Sequence, residues 1–397
     1  MKRYNTDALS SLRAFALIFI LCLSGCIEPF EPEGVQDTAG ILVVEGNILD
    51  RGTTIKLSRT VEIDNIWRPS YFSLEEVNNA IVRVIDDNNH EIAVAKPQIV
   101  NGIAIPEYVV SSEIIFNTGT AYALDIQIGG KHYQSDFVTP LLTPEIDEIS
   151  WRNNEGMSID IMVSTHDPKN EIQYYRWVFE EDWEIRSQYF SPFIFDTKTN
   201  TFIEQSLSGP NNVYYCWASS KSKSILIGET TRFTEVTIKN RIIHNFLSTD
   251  TRFSYLYSVV VRQHGINKEA YTYYENIQKI IEQNSSLFAL QPTELRGNIK
   301  CVSHPDEPVI GYIYASREVL SHRLFIDMSE MERKYNYNCT MEEYHENLMP
   351  WFYEQFNLGI ISRNDRGMLL CVPRVCTDCT YHGGTKNKPD FWPNDHQ

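Results

Sequence analysis

Between Ile41 and Val138 the chain is interrupted every few residues by glycines or by Asn/Asp pairs, and the stretches between are apolar and β-branched. Ile41–Leu49 runs into Asp50-Arg51-Gly52. Thr53–Leu57 alternates, and Ala80–Ile85 stops at Asp86-Asp87-Asn88-Asn89. Glu107–Val110 and Ala121–Ile128 follow, the latter turning at Gly129-Gly130 into Lys131–Val138. Such short segments, without a 3.6-residue period, suit strands whose alternate side chains share a core. A β-sandwich over 38–138 is expected.

Thr139-Pro140 and Thr143-Pro144 make a stiff join, and a second set of strands begins at Ile146–Trp151. Met157–Val163, Gln173–Glu180 and Ser254–Gln263 continue it, with 181–215 read as long inserted loops. One helix is expected over about 268–283, with Asn267 or the preceding turn as its cap and Tyr273, Ile277, Ile280 and Ile281 on one side. Gly311–Ala315 and His322–Asp327 read as paired closing strands. The fold class is therefore mainly β. It has two tandem sandwiches of immunoglobulin/fibronectin-like type, the second (145–397) carrying long insertions, the helix and a cysteine-rich tail.

The first residues say where such a body sits. Lys2, Arg3 and Arg13 precede or flank an apolar run from Phe15 to Leu23, about half the length a membrane-spanning helix needs. The run ends on Leu23-Ser24-Gly25-Cys26, small residues before a thiol, as a lipoprotein signal requires. Residues 1–25 are thus expected to be a signal peptide, Cys26 the lipidation site and 26–37 a tether. Glu28, Glu31 and Glu33 lie just past that cysteine and suggest export to the cell surface, the periplasmic face being the alternative.

Without residues 1–25 the chain keeps 32 Lys plus Arg against 51 Asp plus Glu, since three basic residues and one acid leave with them. A field of that sign repels nucleic acid, so no nucleic-acid partner is expected. Six cysteines remain after Cys26: Cys216, Cys301, Cys339, Cys371, Cys376 and Cys379. In an exported chain all six are disulfide candidates, with fifteen possible pairings. Cys376-x-x-Cys379 followed by His382 also has metal-like or redox spacing. Gly383-Gly384 and Pro389 offer no helix for a redox pair, so structural disulfides are favoured, with no metal and no cofactor.

Catalytic signatures are missing from the sequence: there is no Gly-x-Ser-x-Gly, no His-Glu-x-x-His and no phosphate loop. His166, Asp167 and Glu180-Glu181-Asp182 supply the one alternative, a glycosidase-like hydrolase with paired carboxylates in the 165–182 region. Asp86–Asn89 offers oxygen ligands for calcium but reads first as a turn.

The lipobox, the VVEGNI strand, the block from Ala270-Tyr271 through Pro292–Ile299 to Val309–Tyr312, and the tail CTDCTYHGGTKNKPDFW resemble the domain-of-unknown-function 4249 family of Bacteroidetes lipoproteins. In the tail Cys376, Cys379, Gly383, Gly384, Thr385, Lys388, Pro389, Phe391 and Trp392 carry the likeness. The resemblance implies an outer-membrane lipoprotein without catalytic residues, serving as an accessory or ligand-capture partner of a TonB-dependent receptor or other outer-membrane barrel, with a peptide or glycan as possible ligand.

Overall fold

The structure is a computed structural model. It describes residues 40–60, 75–100, 102–231, 237–247, 249–283, 295, 297–328 and 338–394. The signal peptide, the tether and Cys26 lie outside the described residues.

The strands expected over 38–138 form, joined by Glu91–Val100, which the sequence reading lacked; the order is Lys131–Ser135, Tyr122–Ile128, Ile81–Asp86, Glu91–Val100, Ile103–Val109, Thr54–Arg59 and Leu42–Gly46. Two further strands complete the path. Ile299–Cys301 pairs with Lys131–Ser135 at one end, and Val309–Ile310 pairs with Leu42–Gly46 at the other. Both come from one short segment, so the ten-stranded sheet curls until its edges nearly meet around a single core that includes Leu42, Ile55, Val84, Tyr108, Leu124, Tyr133 and Ile313. Where the sequence suggested two facing sheets, one sheet forms a nearly closed barrel. Residues 299–310 belong to it, although the sequence grouped them with the 145–397 unit.

Two closely approaching glycines make that return possible. A Cβ on Gly297 would stand 1.7 Å from the Gly311 carbonyl oxygen, and Gly311 itself has φ +150°. Asn298 beside them behaves as a one-residue strand: its side chain donates to the Ile313 carbonyl and accepts from the Ile313 amide, both at 2.8 Å. A side chain at either glycine would push the two backbones apart.

Further along, the three-stranded sheet of Ile146–Asn154, Ser158–His166 and Thr237–Leu247 faces a six-stranded one. The central strands of the larger sheet are Tyr174–Arg186 and Leu256–Ile266. Period-two alternation drives the packing: Ile159, Ile161 and Val163 of one sheet meet Tyr175, Trp177, Phe179, Tyr257, Val259 and Val261 of the other in a common core. Helix α1 (Lys268–Gln283) forms as expected, and Asn267 Oδ1 accepts from the Ala270 amide at 2.9 Å. Of the four residues expected on its inner side, Tyr273 is buried and Ile277 packs partly buried against the same cluster. Ala270, Tyr273 and Tyr274 pack on Ile266 and Tyr314, whereas Ile281 is exposed.

The 181–215 segment is not simply loop. Tyr174–Arg186 continues as strand to its end, and the hairpin Phe193–Asp196/Thr201–Glu204 joins Leu358–Arg363, Met368–Pro373 and Glu342–His345 in a separate five-stranded sheet. Helix α2 (Met349–Gln355) lies on this sheet, burying Met349 and Tyr353 against Phe195, Leu358, Ile360 and Leu369. The whole is mostly β and multi-sheet. Among the described residues no helix is long and apolar enough to cross a membrane.

Candidate partner-binding surface

The cysteines assemble the region that carries this surface. Cys216 is bonded to Cys379 and Cys339 to Cys376, so the two sulfurs of the Cys-x-x-Cys motif go to different partners. That arrangement leaves neither sulfur for redox exchange within the motif or for a metal beside His382, whose Nε2 lies 2.8 Å from the Val375 carbonyl. Cys301 and Cys371 are free thiols in two different cores, Cys301 within the barrel and Cys371 under α2. Burial pushes the Cys371 thiol up to about 11, which keeps it protonated and inert.

The acids singled out in 165–182, Asp167 and Glu180–Asp182, are each committed. Asp167 closes a turn: burial pushes its carboxyl up, but the amides of Ile172, Lys169 and Glu171 outweigh this and hold it below the usual carboxylate range. His166 pairs with Asp147 at 2.7 Å on the surface. Glu180, Glu181 and Asp182 are successive strand residues, so their side chains alternate between faces. Arg262 and Lys221 take Glu180, and Arg323 and Ser219 take Asp182. Buried Glu181 binds Arg252 at 2.6 Å and accepts from Tyr257 at 2.8 Å; desolvation nonetheless raises its pKa. Carboxylates held in ion pairs on opposite faces are structural, and they offer no acid–base pair flanking a cleft. Asp86 likewise accepts from the amides of Asn88 and His90, which makes Asp86–Asn89 an ordinary turn.

What the surface does present is apolar. Helix α2 has the sequence MPWFYEQ, with Pro350 in its first turn. Met349 and Tyr353 face inward. Trp351 (66 % exposed) lies on the opposite side, and Leu348 and Phe356 (50 % exposed), one residue beyond each end, are exposed as well. Phe352 bridges Phe356 to the sheet, with its ring 5.1 Å from Phe356 and 5.9 Å from Tyr344. Beside the start of the helix is a cleft of about 280 Å³ lined by Phe195, Phe202, Glu346, Asn347, Pro350 and Arg363. There Arg363 binds Glu346 at 2.5 Å and stacks 4.9 Å over the Phe202 ring. An exposed tryptophan beside two phenylalanines, with a paired charge at the rim, has the composition of an interface centre.

A second convergence escaped the sequence reading. Cys301, His304 and Glu307, on the loop between the two barrel-closing strands, bring one donor atom each within 4.8 Å of one another. The spacing Cys-x-x-His-x-x-Glu was visible, but grouping every cysteine as a disulfide candidate concealed it.

Among the described residues the body is mostly β, the acids singled out in the sequence are tied up in turns and ion pairs, and α2 carries an exposed aromatic platform. The chain belongs to the family described as domain of unknown function (DUF4249), whose model matches residues 27–320. Membership supports a non-enzymatic role as an outer-membrane lipoprotein. The match ends at Leu320, so α2 and the cysteine-rich tail lie beyond it. No curated protein matches the chain. Among solved structures, the chicken interferon gamma receptor alpha chain is 14 % identical over 57 % of this chain and 90 % of its own, with a TM-score of 0.16, too low to bear on the fold.

Proposed function

We propose that the protein is a lipid-anchored, surface-exposed accessory of an outer-membrane barrel, docking on its partner through the apolar side of α2. The observation that carries this reading is the exposure of Leu348, Trp351 and Phe356 on and beside α2, on a chain of net charge -17, where solvent alone would favour charge. The two disulfides hold the tail beside this sheet, so the platform is rigid before it meets a partner. A TonB-dependent receptor is the partner class that the family resemblance suggests, and the cleft at Phe202 and Arg363 is the place for a small peptide or glycan.

Strand register supports attachment by the amino terminus. Leu42 pairs with Arg59, Lys56 with Glu107 and Val100 with Ile103, so the chain's arrival at Gly40 and the 100–103 hairpin turn lie at the same end of the sheet. Residues 97–106 carry no charge, and Ile99 and Ile103 are 69 % and 68 % exposed. Fourteen residues separate Cys26 from Gly40, a reach of at most about 50 Å. This end suits the membrane side, with a lipidated Cys26 as tether and the uncharged hairpin touching the bilayer. The reading divides the body near residue 140 into the barrel, which takes back residues 299–310, and the two-sheet unit that follows.

The test is a mild-detergent pull-down of the tagged protein from its own outer membrane, compared with Trp351→Glu/Phe356→Glu. Stoichiometric recovery of a barrel receptor with the wild type, reduced more than tenfold by the variant at unchanged Tm, is expected. Equal recovery by both proteins would remove α2 from the reading, and recovery of the wild type alone and unpartnered would end it.

A further inference from the structure

Cys301, His304 and Glu307 follow one another at intervals of three in the loop that closes the barrel, and their chemistry is that of a metal centre. We propose that they bind a divalent transition metal of the zinc class. Thiolate sulfur, imidazole nitrogen and carboxylate oxygen form a mixed donor set that zinc accepts, with three protein ligands and a fourth position for water. Among the described residues no other three His, Cys, Asp or Glu side chains converge in this way.

The surroundings hold each donor in place. Cys301 is buried at the edge of the barrel core and paired in register with Tyr133 on the neighbouring strand, and its sulfur lies 3.5 Å from the Ser303 hydroxyl. Pro305 stiffens the turn that follows, closed by the Glu307 amide donating to the His304 carbonyl at 2.9 Å. Lys131 donates to one oxygen of the Glu307 carboxylate at 2.5 Å and the Tyr133 hydroxyl to the other at 2.6 Å. Each oxygen has two lone pairs, so these contacts orient the carboxylate and leave one pair on each for a metal. A thiolate, a carboxylate and a neutral imidazole sum to zero with a dication, so the filled site adds no net charge beside Lys131.

Tetrahedral bonds of about 2.0–2.3 Å put donor atoms about 3.3–3.8 Å apart. The three atoms here lie within 4.8 Å, so closing on an ion takes about 1 Å of movement. His304 is exposed and its Nδ1 contacts only Ser303, at 3.1 Å, so its ring is free to make that movement. A bound ion would cross-link the loop between Ile299–Cys301 and Val309–Ile310, the two edges that nearly close the barrel. Its role there is structural.

The test uses the full-length protein in detergent, stripped with a chelator and titrated with cobalt(II). The expected result is one equivalent bound with a sulfur-to-cobalt charge-transfer band, bleached by zinc, together with a Tm that rises with metal concentration. Cys301→Ser abolishes the band, and Cys371→Ser keeps it. His304→Ala changes an exposed side chain and leaves the fold intact. It and Glu307→Gln weaken cobalt binding at least tenfold. A protein that shows no charge-transfer band, or one whose band survives Cys301→Ser or is unaffected by both His304→Ala and Glu307→Gln, overturns the proposal. Cobalt bound without the band is an adventitious ion only and overturns it as well.

Discussion

His244 should make the two-sheet body acid-sensitive. Its ring lies 3.9 Å from Phe246 and 5.0 Å from Phe179, and among the described residues its Nε2 has no hydrogen-bond partner. Burial, aided by the Arg252 guanidinium and opposed by Asp250, holds its pKa down from 6.5 to about 4. An unfolded chain takes up the proton as pH falls through 6.5, while the folded one resists until about 4. Stability is therefore full above about pH 7 and declines as pH falls, by about 3 kcal/mol once the native ring is also protonated. At pH 5 the unfolded ring is nearly fully charged and the native one only about one-tenth, which corresponds to about 2 kcal/mol lost. His244→Phe keeps an aromatic ring in the core and cannot titrate. Urea midpoints at pH 8 and pH 5, converted to free energies, should show the variant losing about 2 kcal/mol less than the wild type over that interval. His264 is also buried, and burial lowers its pKa too, but it is present in both proteins and cancels from the comparison. Equal losses in the two proteins would refute the assignment of the acid sensitivity to His244.

Gly297→Ala should cost about 3 kcal/mol, because its Cβ meets a backbone oxygen at 1.7 Å and the return strand must shift bodily; a Tm within 1 °C of wild type would contradict the close approach. Ile99→Glu/Ile103→Glu changes exposed tips, so thermal stability should hold. In a Cys26→Ser background, sedimentation with lipid vesicles should fall more than tenfold, since burying each isoleucine contributes about 1.5–3 kcal/mol. Sedimentation unchanged by the two glutamates would remove the hairpin from the membrane.

Most strands of the first 138 residues were legible because each is long enough to show alternation and ends in a turn residue, but Glu91–Val100, which buries only Ala93 and Ala95, was not read. Asp86–Asn89 and helix α1 were legible for the same reason, a period followed by a boundary. The return of residues 299–310 to the first sheet was not. Its strands are three and two residues long, too short to carry a period, and their partners lie more than 160 positions away. The five-stranded sheet was hidden likewise: Phe193 pairs with Ile360, and no local pattern announces such a distance. Helix α2 spans seven residues with a proline at its start, below what helical periodicity can reveal. The sequence named all six cysteines as disulfide candidates, but which pair and which stay free depends on that long-range topology.

The same return strand decides how the units are joined. The sequence placed a restrained hinge at Thr139–Pro144, but the structure adds a second connection that does not follow chain order. Ala315–Ser316 pairs with Ile48–Leu49 beside the barrel, and Glu318–Leu320, two residues on, pairs with Leu256–Ile266 in the larger sheet. Polar side chains meet where the segment crosses. The Tyr314 amide donates to Asn47, the Glu318 amide to Asp50 at 2.7 Å, and Thr143 of the join lies 2.9 Å from Ser316 and accepts from the Gly265 amide. His264 lies between the Tyr314 hydroxyl at 2.7 Å and Glu318 at 3.1 Å, and Arg262 completes the cluster with its own bond to Glu318 at 2.6 Å. Relative rotation of the units would strand several of these buried groups without partners at about 1–3 kcal/mol each, so the barrel and the two-sheet body are held to one orientation. Held this way, the amino-terminal end of the barrel keeps a fixed position relative to the two-sheet body, as the proposed accessory role requires.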